Sequence, residues 1–179
     1  RQWVQDALKY AESKDVLVLF AAGNDSKDLD VVNKYPSDSY DGKPETLTNV
    51  MIIGALNPTY GEGMVAGFSN YGAQNVDIFA PGAKIYATTP ENKYEYLQGT
   101  SMASPNAAGV AAVIRSYYPN LTAAEVKKVL MDSGITLTQD VRFGEKKEKK
   151  PFNQLSKSGK IINLYNAVIE AEKVSKAKK

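Results

Sequence analysis

Val16-Leu17-Val18-Leu19-Phe20-Ala21-Ala22-Gly23-Asn24 is an unbroken apolar run that stops at a glycine and an asparagine. A strand with one wet face would alternate apolar and polar residues, so a continuous run reads as a parallel strand buried on both faces. Just before it, Trp3, Val4, Ala7, Leu8 and Ala11 recur at helical spacing, while Gln5, Asp6, Lys9 and Glu12 take the opposite side. That pattern is an amphipathic helix. A helix leading into a buried parallel strand places the chain in the α/β class.

The polar stretch from Asn24 to Asn49 reads as loop, and Val50-Met51-Ile52-Ile53-Gly54-Ala55 as a second buried strand. Shorter strands are expected at Val76-Asp77-Ile78-Phe79, Lys84-Ile85-Tyr86-Ala87 and Tyr94-Glu95-Tyr96-Leu97, punctuated by Gly and Pro. A small-residue helix follows from Ser101 to Tyr118, stopped by Pro119. Thr122-Ala123-Ala124-Glu125 has the form of a capping box, opening a helix whose core face is Val126, Val129 and Leu130. A charged loop through Ser158 then precedes a last helix, Ile161 to Val174, with Ile161, Leu164, Val168 and Ile169 inward. There is no internal repeat and no interdomain linker.

Composition narrows the function. With 22 basic and 20 acidic residues in 179, the net charge of +2 directs the chain toward neither nucleic acid nor an anionic membrane. The basic stretches Glu145-Lys146-Lys147-Glu148-Lys149-Lys150 and Lys176-Ala177-Lys178-Lys179 lack interleaved aromatics for base stacking and read as solvated surface. No apolar run reaches the roughly 20 residues of a membrane span. The absence of Cys removes disulfides, thiolate metal sites and a cysteine nucleophile. The chain also has no His.

Chemistry concentrates at Gly99-Thr100-Ser101-Met102-Ala103-Ser104-Pro105, where a serine stands at a loop-to-helix junction ahead of a proline suited to a first turn. The unpaired N–H groups and partial positive charge of a helix N-terminus stabilise an oxyanion forming beside such a serine. Gly99, lacking a Cβ, lets a substrate backbone come close. Ser and Thr are also ordinary helix N-caps, so the motif alone leaves a structural role open. Asn24 stands past the C-terminal end of a buried parallel strand, where open α/β sheets bind ligands, and its amide could donate to the same oxyanion. A loop asparagine tolerating a left-handed backbone is the alternative there. Ala103, Ala107, Ala108, Gly109, Ala111 and Ala112 would let the helix lie close on a sheet and hold Ser101 rigidly, which is also plain core packing.

Four ordered blocks, Val18 to Asn24, Phe68-Ser69-Asn70-Tyr71-Gly72, Asp77-Ile78-Phe79-Ala80-Pro81-Gly82 and Gly99 to Pro105, resemble the subtilisin-like serine protease (subtilase) family. Gly159 to Val168 is similar to the end of that family's catalytic domain. The resemblance implies a subtilisin-like three-layer fold with a mostly parallel sheet and helices on both faces, residues 1–179 being the C-terminal portion of one catalytic domain. It further implies that Ser101 is the nucleophile of a serine endopeptidase and that Asn24 and the Ser101 N–H form an oxyanion hole. Ala21, Ala22 and Gly23 would line the pocket for the side chain preceding the scissile bond, with Gly99 and Thr100 completing the substrate-contacting set. The family's order of Asp, His, Ser puts both partners of Ser101 upstream of Arg1, so this chain alone is expected to be inactive. Asn106 stands where the family usually has a His that is not the triad base.

No cofactor is required by this reading. Calcium is a possible structural ligand at Asp77, with backbone oxygens near Tyr35 and Pro36 and with Asn75 where a second carboxylate would help; Tyr35-Pro36 would be cis by the same resemblance. Asp25, Asp28 and Asp30 do not match an EF-hand loop and read as solvated surface. The implied partners are a peptide or protein substrate and the missing N-terminal half. A homodimer is also expected, covering the apolar side of the first helix or the free edge of Val16–Ala22. The implied location is secreted or cell-surface. An α/β-hydrolase is excluded, because Ala103 replaces the second Gly of Gly-x-Ser-x-Gly and no downstream His exists. The alternative of another class is a non-catalytic peptide-binding module on a degenerate subtilase fold, holding extended peptides by edge pairing.

Overall fold

The protein is described by a computed structural model over residues 2–37 and 45–178. Residues 38–44 of the expected loop, with Arg1 and Lys179 of the expected first helix and basic tail, lie outside the described residues. Helix α1 (Gln2–Ser13) leads into strands β1 (Val18–Ala21), β2 (Val50–Leu56) and β3 (Ile78–Pro81). A ribbon of β4 (Ile85–Thr89) and β5 (Lys93–Leu97) then precedes helices α2 (Thr100–Tyr117) and α3 (Ala123–Ser133). Strand β6 (Ile135–Thr136), the hairpin β7 (Asp140–Phe143) and β8 (Glu148–Pro151), strand β9 (Lys160–Ile161) and helix α4 (Leu164–Lys176) complete the chain.

The main sheet runs β1-β2-β3-β9-β6, parallel except for β6 at the far edge. Strand β2 shows why a continuous apolar run was needed. Met51, Ile53 and Ala55 point into one core with α2, α3 and α4, while Val50, Ile52 and Leu56 point into the other with Leu8 of α1, Phe143 and Phe152. All seven β2 residues are buried. The α/β class and the helices on both faces are as the sequence implies.

Helix α2 lies on the sheet through Ala103, Ala107 and Ala111, one residue per turn, so only half of the small residues face the core. Enlarging one of these alanines would overpack the contact at about 1–3 kcal/mol. Pro105 falls in the second turn rather than the first, so its missing N–H deprives the Ser101 carbonyl of its i+4 donor. Thr122 and Glu125 form the expected capping box of α3.

Three expectations change. Strand β1 is half-buried, not enclosed, because it forms a sheet edge. On α1 only Leu8 is buried, and Trp3 (88%) and Val4 (47%) are exposed, so the apolar side of the first helix lies uncovered by the described residues as expected. The charged segment before Ser158 is no plain loop: Val141 and Phe143 on one face of β7 are buried against the sheet. The last helix begins at Leu164, because the Asn163 side chain caps it by accepting from the Asn166 N–H; Ile161 belongs to β9, Ala167 and Ala171 face inward, and Leu164 and Ile169 are exposed.

Candidate active site

Ser101 is the second residue of α2 and is exposed at its N-terminus. The turn before it depends on Gly99, whose φ of 148° is a conformation open to glycine. Thr100, 1% exposed, locks this turn to the end of β1. Its hydroxyl accepts from the Gly23 N–H at 3.0 Å and donates to Asn24 Oδ1 at 2.9 Å, and its backbone N–H donates to the same oxygen at 2.9 Å. With Oδ1 so held, the Asn24 amide nitrogen is fixed in direction and makes no hydrogen bond among the described residues.

The space in front of Gly99 is where the donors meet. A Cβ added there would stand 3.2 Å from Asn24 Nδ2 and 3.6 Å from the Ser101 N. Asn24 Nδ2 and the Ser101 N thus lie on the same side of Gly99, where the α2 N-terminus adds a partial positive charge. The fold brings Ser101 and Asn24, 77 residues apart in the chain, close together beside Gly99. No described residue hydrogen-bonds Ser101 Oγ, and the chain has no imidazole to do so.

The model of the subtilase family matches residues 1–158. The chain belongs to the subtilase family.

Among curated relatives, this subtilase segment is 34% identical to subtilisin DY of Bacillus licheniformis over 142 residues, covering 79% of the chain and 48% of that protein. It is 32% identical to alkaline elastase YaB of Bacillus sp. (strain YaB), covering 79% and 33%. The chain thus spans less than half the length of these relatives. Two solved structures share the fold: that of the prenylagaramide maturation protease PagA (TM-score 0.73, 24% identity, 96% of this chain and 56% of that one) and that of subtilase cytotoxin SubAB assembly (0.74, 23%, 97% and 55%). The family model stops before Gly159–Val168, whereas the structural likeness runs on through nearly the whole chain.

In this subtilase, Asn70 organises the loop behind Asn24, a role the sequence reading did not assign. Fully buried, it takes the Asp25 and Lys27 N–H groups on Oδ1 and donates from Nδ2 to the Ala22 carbonyl at 2.9 Å and to Asp25 Oδ2 at 3.3 Å. Adjacent polar residues in an otherwise apolar stretch, Ser69-Asn70, were the available signal. Lys34 was also missed. Its ammonium rests on the face of Gly23 (φ 102°), where a Cβ would collide with it, and donates to Asp25 Oδ2 at 2.7 Å. That hydrogen bond, with the one from Asn70, holds the Asp25 carboxyl below the usual carboxylate range. Ala21 and Ala22 line a cavity of about 50 Å³ together with Lys34, Tyr35 and Pro36.

The remaining carboxylates have internal partners. Asp28 accepts the Asp30 N–H, and Asp30, though exposed as expected of a surface cluster, accepts the Gln74 and Asn75 N–H groups and so ties two loops together. Asp77 is 1% exposed; Oδ2 accepts the Ile52 N–H at 2.7 Å and Oδ1 lies 3.2 Å from Lys127 Nζ. Burial raises the Asp77 carboxyl, opposed by Lys127 and the Ile52 N–H. An ammonium already stands where calcium was expected, so these residues do not fit a metal ion at Asp77. The Tyr35-Pro36 bond is cis. Asn106 donates to the carbonyls of Pro81 and Met102, a local packing role.

Proposed function

We propose that this chain carries the nucleophile half of a subtilisin-like serine endopeptidase. The observation that carries the proposal is that Asn24 Nδ2, without a hydrogen-bond partner among the described residues, lies with the Ser101 N on the same side of Gly99. Ser101 Oγ attacks the peptide carbonyl as its proton passes to a histidine supplied from outside these 179 residues. The carbonyl oxygen becomes an oxyanion held by Asn24 and Ser101. Collapse expels the amine, which takes the proton from the histidine, and leaves an acyl-enzyme that water hydrolyses by the same steps. Ala21, Ala22 and Gly23 receive the side chain preceding the scissile bond, and Gly99 and Thr100 shape the approach of the backbone. The reaction calls for no cofactor. The complete protease works outside the cell or at its surface.

A serine hydroxyl is a weak nucleophile at neutral pH without a base. Loss of the base alone removes about 2 × 10⁶ in kcat, a figure known from subtilisin itself. The 179-residue chain is therefore expected to cleave neither casein nor chromogenic peptides and to resist fluorophosphonate labelling at Ser101. Supplying the upstream half, in cis or as a complementing fragment, restores both. Hydrolysis by the isolated chain that Ser101→Ala abolishes would place a different base in the mechanism. A complemented protein that binds peptides tightly yet never labels at Ser101 would favour the peptide-binding module instead.

A further inference from the structure

We infer that Lys34 makes the pocket at Gly23 selective for an acidic side chain in the residue preceding the scissile bond; this rests on the endopeptidase reading above. Gly23 directly precedes Asn24, whose amide faces the carbonyl oxygen. A side chain on the carbon next to that carbonyl extends across Gly23, and the Lys34 ammonium rests on that face. The cavity wall bearing Ala21 and Ala22 also carries Lys34. The alanines contribute no charge, so the ammonium sets the polarity of this wall.

The two nearby carboxylates do not saturate it. Of the three ammonium N–H groups, one goes to Asp25 Oδ2 at 2.7 Å, and no other described residue takes the remaining two. Asn70 donates to the same Asp25 Oδ2 at 3.3 Å, so that carboxylate does not depend on the ammonium alone. Asp30, on the same cavity wall, directs its oxygens to the N–H groups of Gln74 and Asn75. The Lys34 side chain is 35% exposed, which leaves the ammonium reachable from solvent. A glutamate or aspartate carboxylate gains a charge-assisted hydrogen bond there. A lysine or arginine meets a like charge, and a large apolar side chain must desolvate the ammonium.

The test uses the full-length protease and peptides identical except at that residue, which is Glu, Gln, Phe or Lys. The Glu peptide is expected to exceed the Gln peptide by about tenfold in kcat/KM, the difference between charge-assisted and neutral hydrogen bonding. The ratio falls as salt rises from about 0.1 to 1 M. In Lys34→Gln it drops to about one, in Lys34→Arg it persists, and in Asp25→Asn it rises as the ammonium loses its competing anion. A Glu/Gln ratio near one in the parent, or one unmoved by Lys34→Gln while Ser101-dependent cleavage continues, overturns this inference alone. Failure of every peptide to be cleaved in a Ser101-dependent way overturns the endopeptidase reading and this inference together.

Discussion

Asn24 uses the two ends of its amide for different purposes: Oδ1 receives the Thr100 N–H and hydroxyl, and this fixes where Nδ2 points. Removing the side chain by Asn24→Ala is expected to lower kcat of the complete protease by about 10²–10³ with KM nearly unchanged, the size known for losing this kind of donor in subtilisin. Thr100→Val separates the two purposes, since it keeps Nδ2 but removes the hydroxyl that joins Gly23 to Asn24. It should depress both kcat and melting temperature. An Asn24→Ala variant with parental kcat would remove Asn24 from the chemistry. Ser101 and Asn24 were legible because a glycine-flanked serine before a small-residue helix and an asparagine after a buried strand are local patterns. Lys34 was not legible, because a lysine in a polar loop carries no mark of the glycine it will cover.

At the scale of elements, α3 is fixed at two places by charge. Its N-terminus is held by the Thr122 and Glu125 box and by Asp15, which accepts the Ala123 N–H at 2.6 Å and pairs with Arg115 at 2.8 Å. The Ala123 N–H, then Arg115, lower the Asp15 carboxyl; Lys178 and the Thr122 N–H lower that of Glu125. A carboxyl lower in the folded than in the unfolded state stabilises above its unfolded value and loses that effect as pH falls through the folded one. Urea midpoints are thus expected to drop below about pH 4, where unfolded carboxyls begin to protonate, and to drop less steeply in Asp15→Asn. An identical slope in that variant would count against the cap. Further along α3, Lys127 reaches Val50 O at 2.6 Å and Asp77 at 3.2 Å, joining the helix to the sheet. Lys127→Ala leaves a carboxylate buried without this partner, and is expected to cost about 3–5 kcal/mol in urea unfolding. Adding Asp77→Asn should restore much of the loss; a doubly substituted protein weaker than the single variant would refute the pairing.

On the scale of the whole molecule, β1 ends the sheet with one edge unpaired among the described residues, Trp3 stands exposed on α1, and Val4 and Phe20 line an apolar hollow of about 540 Å³. Open edges and apolar patches recruit partners. The isolated chain is therefore expected to self-associate, with the single tryptophan, Trp3, shifting to bluer emission as concentration rises. A monomer in sedimentation at high concentration, with emission independent of dilution, would contradict this. The upstream half should compete for the same face. By itself the sequence determined the α/β class and the family and singled out Ser101 and Asn24 as candidates, because apolar periodicity, capping chemistry and short ordered motifs are written in neighbouring residues. Tertiary structure alone decided that β7 packs Val141 and Phe143 against the sheet, that Lys127 pairs with Asp77, and that Lys34 covers Gly23. Each of these depends on which groups meet across tens of residues, where burial and the nearest opposite charge, not local propensity, set the outcome.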